Sequence, residues 1–340
     1  MSRPLRLLPP LLFAVLVVLA LWPAWQHGGE LSSRYDWRYF ESMAEVARRT
    51  VAWYRQLPLW NPYSCGGEVD LANPQSLDGA PTFLLTLWFG TAWGFKLAMA
   101  VYYYLALWGM YALGRRLGLA VLPSLVSALS FGLSGYLAMH LSAGHINFGS
   151  VALFPLLIYC FDRSFAEPRF ILPAGALAAW IAVFGGTFTP ALAGELLLLW
   201  VPIVYLRQPS RDGARFFGRA AGLLLACGAV ALVVGAYRML PALEFIIDHP
   251  RPLFRRTPDV TIPHRLLWDL FAWRDLGPLP GRRYWSHEYT ARLPQVVAPL
   301  LICGLFALRQ QKWQRLVVAL VGLALFSALL CMGNFGPVAP

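Results

Sequence analysis

Long apolar runs dominate this chain and constrain what it can fold into. Stretches of about 17 to 25 residues with few interior charges recur from one end to the other, each long enough to cross a hydrocarbon core of about 30 Å as a helix. Lipid offers no hydrogen bonds, so such runs must satisfy their own backbone, and helices do this. Of the 340 residues, 58% are apolar and only 13% are charged, against roughly a quarter charged in a soluble domain. The expectation is an all-α, polytopic transmembrane bundle forming one integral membrane domain over residues 1–340.

About nine spans are expected. They lie near residues 5–25, 93–114, 119–139, 146–161, 170–186, 188–206, 217–240, 293–308 and 315–332. The first run is too long for a signal peptide, and no small-x-small cleavage site follows it. Alternate short connections are rich in arginine: Arg3 and Arg6, Arg115 and Arg116, Arg163 and Arg169, Arg207 to Arg219, and Arg309 to Arg315. Basic residues concentrate on the cytoplasmic side, so the N-terminus is expected inside. The same distribution accounts for the net charge of +11 and argues against nucleic acid as a partner. Cys160, Cys227 and Cys303 read as packing residues. Cys65 and Cys331 read as outer free thiols, with a disulfide between them as the alternative.

Two long segments then fall outside, residues 26–92 and 241–292, and long loops in compact proteins usually carry function. In the first, Trp37, Phe40, Met43, Ala44, Ala47, Val51 and Tyr54 recur at helical spacing, opposite Glu41, Glu45, Arg48, Arg49 and Arg55. This predicts an amphipathic helix over 36–55, read as lying in the membrane interface. Turn-formers follow in Leu59-Trp60-Asn61-Pro62-Tyr63-Ser64-Cys65-Gly66-Gly67 and Asn73-Pro74-Gln75-Ser76, giving a shaped, irregular wall. The chain ends just after its last span, which predicts a missing C-terminal portion.

Charges at span depth are the first candidates for function. Lys96 opens the second span, Glu195 lies roughly 10 Å inside the sixth, and Arg238 closes the seventh. Lys96 and Arg238 have snorkelling as a plain alternative, and Glu195 a buried pairing with either of them. Asp36, at the start of the amphipathic helix, is either its N-cap or a general base for an acceptor hydroxyl. His145, in Gly144-His145-Ile146-Asn147, is a cap or interface residue on one reading and a site residue on the other. The late loop holds Arg251, Arg255, Arg256, Arg265, Arg274, Arg282, Arg283 and Arg292. They answer nearby acids and lipid headgroups, or they form a phosphate clamp. No metal-ligand spacing, phosphate loop or dinucleotide fingerprint occurs.

Asp36-Trp37-Arg38-Tyr39-Phe40, Leu57-Pro58-Leu59-Trp60-Asn61-Pro62-Tyr63, Gly66-Gly67 and Asn73-Pro74-Gln75-Ser76 resemble the first outer loop of bacterial YfhO-like membrane proteins, which are grouped with GT-C type glycosyltransferases. Gly144-His145-Ile146-Asn147, Phe154-Pro155-Leu156, Asp162-Arg163 and Leu240-Pro241-Ala242-Leu243-Glu244 fit the same pattern, and Trp285-Ser286-His287-Glu288-Tyr289 fits it more weakly. The resemblance implies a GT-C-like fold in a bacterial cytoplasmic membrane. It also implies sugar transfer on the outer face, from a polyprenyl-phosphate-linked donor to a cell-envelope glycan or lipid, with membrane lipids as further partners.

Carried onto matching positions, the resemblance makes Asp36 the base; Glu288 and Glu68 are weaker candidates for a second acid that positions the acceptor. Lys96, His145, Glu195, Arg238, Trp60, Asn61, Asn73 and Gln75 become substrate-binding candidates. The cofactor stays open. A divalent metal ion on Asp36 with Glu288 or Glu68 is one option, and no spacing requires it. The competing readings are a lipid or polysaccharide transporter and an inactive membrane scaffold.

Overall fold

The computed structural model describes residues 3–31, 36–184, 188–207, 212–249 and 309–331. They are mainly helical. α1 (Arg3–Ala20) and α2 (Trp22–Gln26) form the first run, α3 (Trp37–Ala52) lies in the first loop, and α4 (Phe83–Phe89) leads into α5 (Thr91–Arg116). α6 (Val121–Gly132) and α7 (Gly135–Ser142) fill the third run, broken at Leu133 and Ser134. The fourth is a 3-10 stretch, Ile146–Leu153, continuing as α8 (Phe154–Ser164). α9 (Ile171–Val183), α10 (Phe188–Arg207), α11 (Gly213–Asp248) and α12 (Gln311–Cys331) complete the set. β1 (Trp60–Asn61) and β2 (Glu68–Val69) pair antiparallel, Trp60 opposite Val69 and Asn61 opposite Glu68.

Among the described residues, five helical stretches are long and apolar enough to cross a membrane: Thr91–Arg116, Val121–Ser142, Ile146–Ser164, Thr189–Arg207 and Gly213–Asp248. Leu8–Ala20, Pro168–Val183 and Trp313–Phe326 are apolar but shorter. The run expected at 293–308 and the loop arginines from Arg251 to Arg292 lie outside the described residues.

α11 runs further than expected. The sequence places a boundary at Pro241, yet the helix continues through it to Asp248. A proline inside a helix removes one backbone bond and usually bends or ends it. Here the strongly apolar run on both sides carries the helix onward, so the second long loop starts beyond Asp248 rather than at residue 241.

α5 is the central element, packed against α1, α4, α6, α8 and the 3-10 stretch. The other large contact joins α9 to α11. Tyr102 of α5 is fully buried. Its hydroxyl accepts from Trp180 Nε1 of α9 at 3.1 Å and shares a hydrogen bond with the Thr82 hydroxyl, also at 3.1 Å. Bundle core and first loop therefore meet on one side chain.

α3 forms where its apolar stripe predicts, but the stripe faces protein. Trp37, Phe40, Met43, Ala44 and Ala47 are buried, and α3 packs on α4, α5 and β1. Glu45 receives the Thr91 hydroxyl at the start of α5 at 2.6 Å, together with Arg48 and Arg49. Those donors, Arg48 first, hold its carboxyl down to about 2 against the opposing effect of burial. An interfacial helix would leave this face to lipid; here the bundle takes it up.

At the opposite end of the bundle, Asp162 of α8 is buried and fully engaged. Its Oδ1 accepts from Arg116 of α5 at 2.6 Å. Its Oδ2 accepts from Arg207 at 2.6 Å and Trp200 at 3.1 Å, both of α10.

Candidate functional site

The site is built where α3 meets the turn between α7 and the 3-10 stretch. Gly144 has a φ of +81° and packs against α3 so closely that a Cβ there would sit 2.5 Å from the Trp37 nitrogen. Only glycine suits both conditions. Around it the Asp36 N–H donates to Ala143 O at 3.2 Å, and the Trp37 indole donates to Ser142 O at 3.1 Å.

This junction brings two expected site residues together. His145 Nε2 lies 3.1 Å from Asp36 Oδ2. Asp36 stands at the N-cap of α3, but its side chain makes no capping hydrogen bond. Its carboxylate turns to the histidine instead and remains 55% exposed, whereas the His145 side chain is only 14% exposed. His145 Nδ1 in turn lies 3.1 Å from Nδ1 of His140, which is buried and stacked on Phe148 at 4.5 Å. An ionised Asp36 accepts, so His145 carries its proton on Nε2. In the neutral pair His140 then donates from its Nδ1. Burial lowers the His145 pKa, and the Asp36 charge and hydrogen bond oppose that shift.

The loop wall comes next. The Asn61 side chain accepts from the Tyr63 N–H at 3.0 Å, and its amide reaches Glu68 Oε1 at 3.3 Å. Trp60 is half exposed and its ring covers Gly67. The Asn73 side chain accepts from the Gln75 N–H at 3.0 Å, and Gln75 Oε1 accepts from the Tyr39 hydroxyl of α3 at 3.2 Å. Gln75 thus touches the helix that carries Asp36, one turn further along.

Lys96 and Arg238 are both engaged by the chain itself. The Lys96 ammonium donates to Gly28 O and sits over the Trp93 ring. Arg238 is 2% exposed and donates to Asp78 Oδ1 at 2.7 Å, to Asn73 O at 2.9 Å and to Ser76 O. Gly79 lets it approach, since a Cβ there would fall 2.4 Å from Arg238 Cδ. Glu195 of α10 is half-buried and makes no hydrogen bond or ion pair among the described residues. Glu288 lies outside them, and Cys65 is a free, exposed thiol. Asp36 and Arg238 belong to separate clusters, joined through Tyr39, Gln75 and Asn73.

Three participants carry little signal in the sequence. His140 sits five residues before His145, a spacing that only the tight turn at Gly144 makes useful. Asp70 and Asp78 lie among turn-formers and read there as loop polarity. Beside the loop, an apolar cavity of about 430 Å³ opens between α8, α9 and α11, lined by Gly79, Pro81, Leu156, Trp180, Val234 and Tyr237, among others. Among the described residues, no group of three or more His, Cys, Asp or Glu gathers to hold a metal ion.

No protein-family model matches the chain, and no curated protein matches it.

Proposed function

We propose that this chain is a GT-C type membrane glycosyltransferase. It transfers a sugar from a polyprenyl-phosphate-linked donor to an acceptor on the outer face of a bacterial cytoplasmic membrane, with its N-terminus inside. One observation carries the reading: an uncapped, half-exposed Asp36 held by a partly buried imidazole at the loop end of the bundle. A base needs an open oxygen and a group that orients it, and this pair supplies both.

In the reaction the acceptor oxygen attacks the anomeric carbon and its proton passes to Asp36. The bond from that carbon to the phosphate oxygen breaks, and the electron pair leaves with the polyprenyl phosphate through an oxocarbenium-like state. The leaving phosphate needs a cation. Lys96 and Arg238 are held by the protein, so this role passes to the arginines between Arg251 and Arg292 or to exposed Arg38, two residues beyond Asp36. The cavity suits the donor's isoprenoid chain, being lined almost wholly by apolar groups and within the usual size range of ligand sites.

The test is transfer by reconstituted membranes given a polyprenyl-phosphate-linked sugar. Asp36→Asn should lower the rate by about 10²- to 10⁴-fold; undiminished transfer removes Asp36 from the mechanism. A transporter is the second reading, supported by Glu195, which lies inside an apolar helix and has no partner among the described residues. Uptake of the intact substrate into vesicles, abolished by Glu195→Gln, would select it.

A further inference from the structure

Asp70 is 1% exposed, and neither of its carboxylate oxygens has a hydrogen-bond partner among the described residues. Asp78, nearby in the same loop, is 1% exposed in its side chain; its Oδ1 takes Arg238 and the Ser76 hydroxyl, while its Oδ2 is left without a partner. Two buried carboxylates therefore lie within the electrostatic reach of one buried guanidinium, and three of their oxygens lack a hydrogen-bond partner among the described residues. A bare buried charge costs several kcal/mol, and a group so placed neutralises itself instead. The charged groups acting on Asp70 are Asp78 within the loop, Arg238 from α11 and Glu68 from β2.

We propose that Asp70 and Asp78 share one proton in a buried carboxyl–carboxylate pair, making the seat of the first loop on α11 a proton-binding site. Protonated Asp70 donates to the free oxygen of Asp78, and the ionised Asp78 keeps Arg238. The charges then sum to zero, and the hydrogen-bonding need of one oxygen on each carboxyl is met. Burial, followed by the Asp78 charge, pushes the Asp70 carboxyl up to about 7, so the proton is held near neutrality and lost just above it. A metal ion fits less well, because Arg238 already occupies Asp78 Oδ1 and the carbonyls of Asn73 and Ser76 beside it. The site has a reader: Gln75, between these residues, bonds Tyr39 of α3. Loss of the proton loosens the loop and, through it, the helix that bears Asp36.

The native state binds the proton more tightly than the unfolded chain, so this contribution is complete below the ordinary Asp value and disappears as pH rises through about 7. The experiment is thermal unfolding of the purified protein in nanodiscs from about pH 3.5 to about pH 8, comparing wild type with Asp70→Asn. The amide mimics a protonated carboxyl. Asp70→Asn should match wild type at the acid end and exceed it by a few degrees at the basic end. Asp78→Asn should fall below wild type throughout, because Arg238 loses its partner. An infrared titration of wild type should show a protonated-carboxyl band that disappears near neutrality and is missing in Asp70→Asn; this readout stands even if a variant folds poorly. A constant gap between wild type and Asp70→Asn, with no such band, overturns the proposal. So does a rise in melting temperature with calcium or magnesium at the basic end that Asp70→Asn abolishes, which would make the pair a metal site.

Discussion

Asp36 and His145 are far apart in sequence and meet at 3.1 Å, with the histidine partly buried and the aspartate open. Asp36 raises the His145 pKa while burial, the larger effect, lowers it. Asp36→Asn should therefore depress the His145 titration further, read from nitrogen-labelled histidine by NMR. Because His145 titrates below its unfolded value, its contribution to stability is present above about pH 6.5 and is lost as pH falls through the folded value. An unmoved His145 titration in Asp36→Asn would mean the two side chains do not interact.

Gly144→Ala should break the junction that makes this pair. The added methyl meets the Trp37 backbone at 2.5 Å in a left-handed conformation. Strain of this kind costs about 1–3 kcal/mol, and transfer should fall with it. Chemical unfolding measures the first effect, and the activity assay the second.

Arg238→Lys keeps the charge but loses the planar fork that reaches Asp78 and two carbonyls at once. The first loop should detach from α11. Limited proteolysis between residues 53 and 82 should accelerate, and Cys65, already exposed, serves as a labelling reference. Proteolysis at the wild-type rate would show that the loop does not depend on this tie.

Glu45 predicts an acid limit. Its carboxyl is held down to about 2, chiefly by Arg48. The resulting stability is complete above the ordinary Glu value of about 4.3 and is lost as pH falls toward about 2. Glu45→Gln should flatten that part of the unfolding profile, with the detachment of α3 followed by Trp37 fluorescence.

Asp162→Ala leaves Arg116 and Arg207 facing each other without their shared carboxylate. Breaking a buried pair from one side costs about 3–5 kcal/mol. Equilibrium unfolding in detergent should show the largest loss of any single variant named above.

Periodicity made much of the architecture legible. The runs at 93–114 and 188–206 become α5 and α10 with small shifts at their ends, and the stripe from Trp37 to Ala47 becomes the buried face of α3. The stripe could not say whether lipid or protein would cover it, because both reward the same apolar spacing. The site was legible in parts. Asp36 and His145 stood out singly, as an acid at a helix start and a histidine beside a glycine, but their pairing depends on a long-range turn contact that no local pattern encodes. Arg238 invited pairing with Glu195, since both lie in apolar runs. It found Asp78 because the loop folds down onto α11 through Gly79.

The Asp162 cluster fastens α5, α8 and α10 together at the end away from the first loop. A bundle pinned there behaves as a lever. These three helices can separate little beside Asp162, and their displacement grows with distance from that fulcrum. Relative motion of these helices is therefore directed to the end where His145 and Asp36 stand.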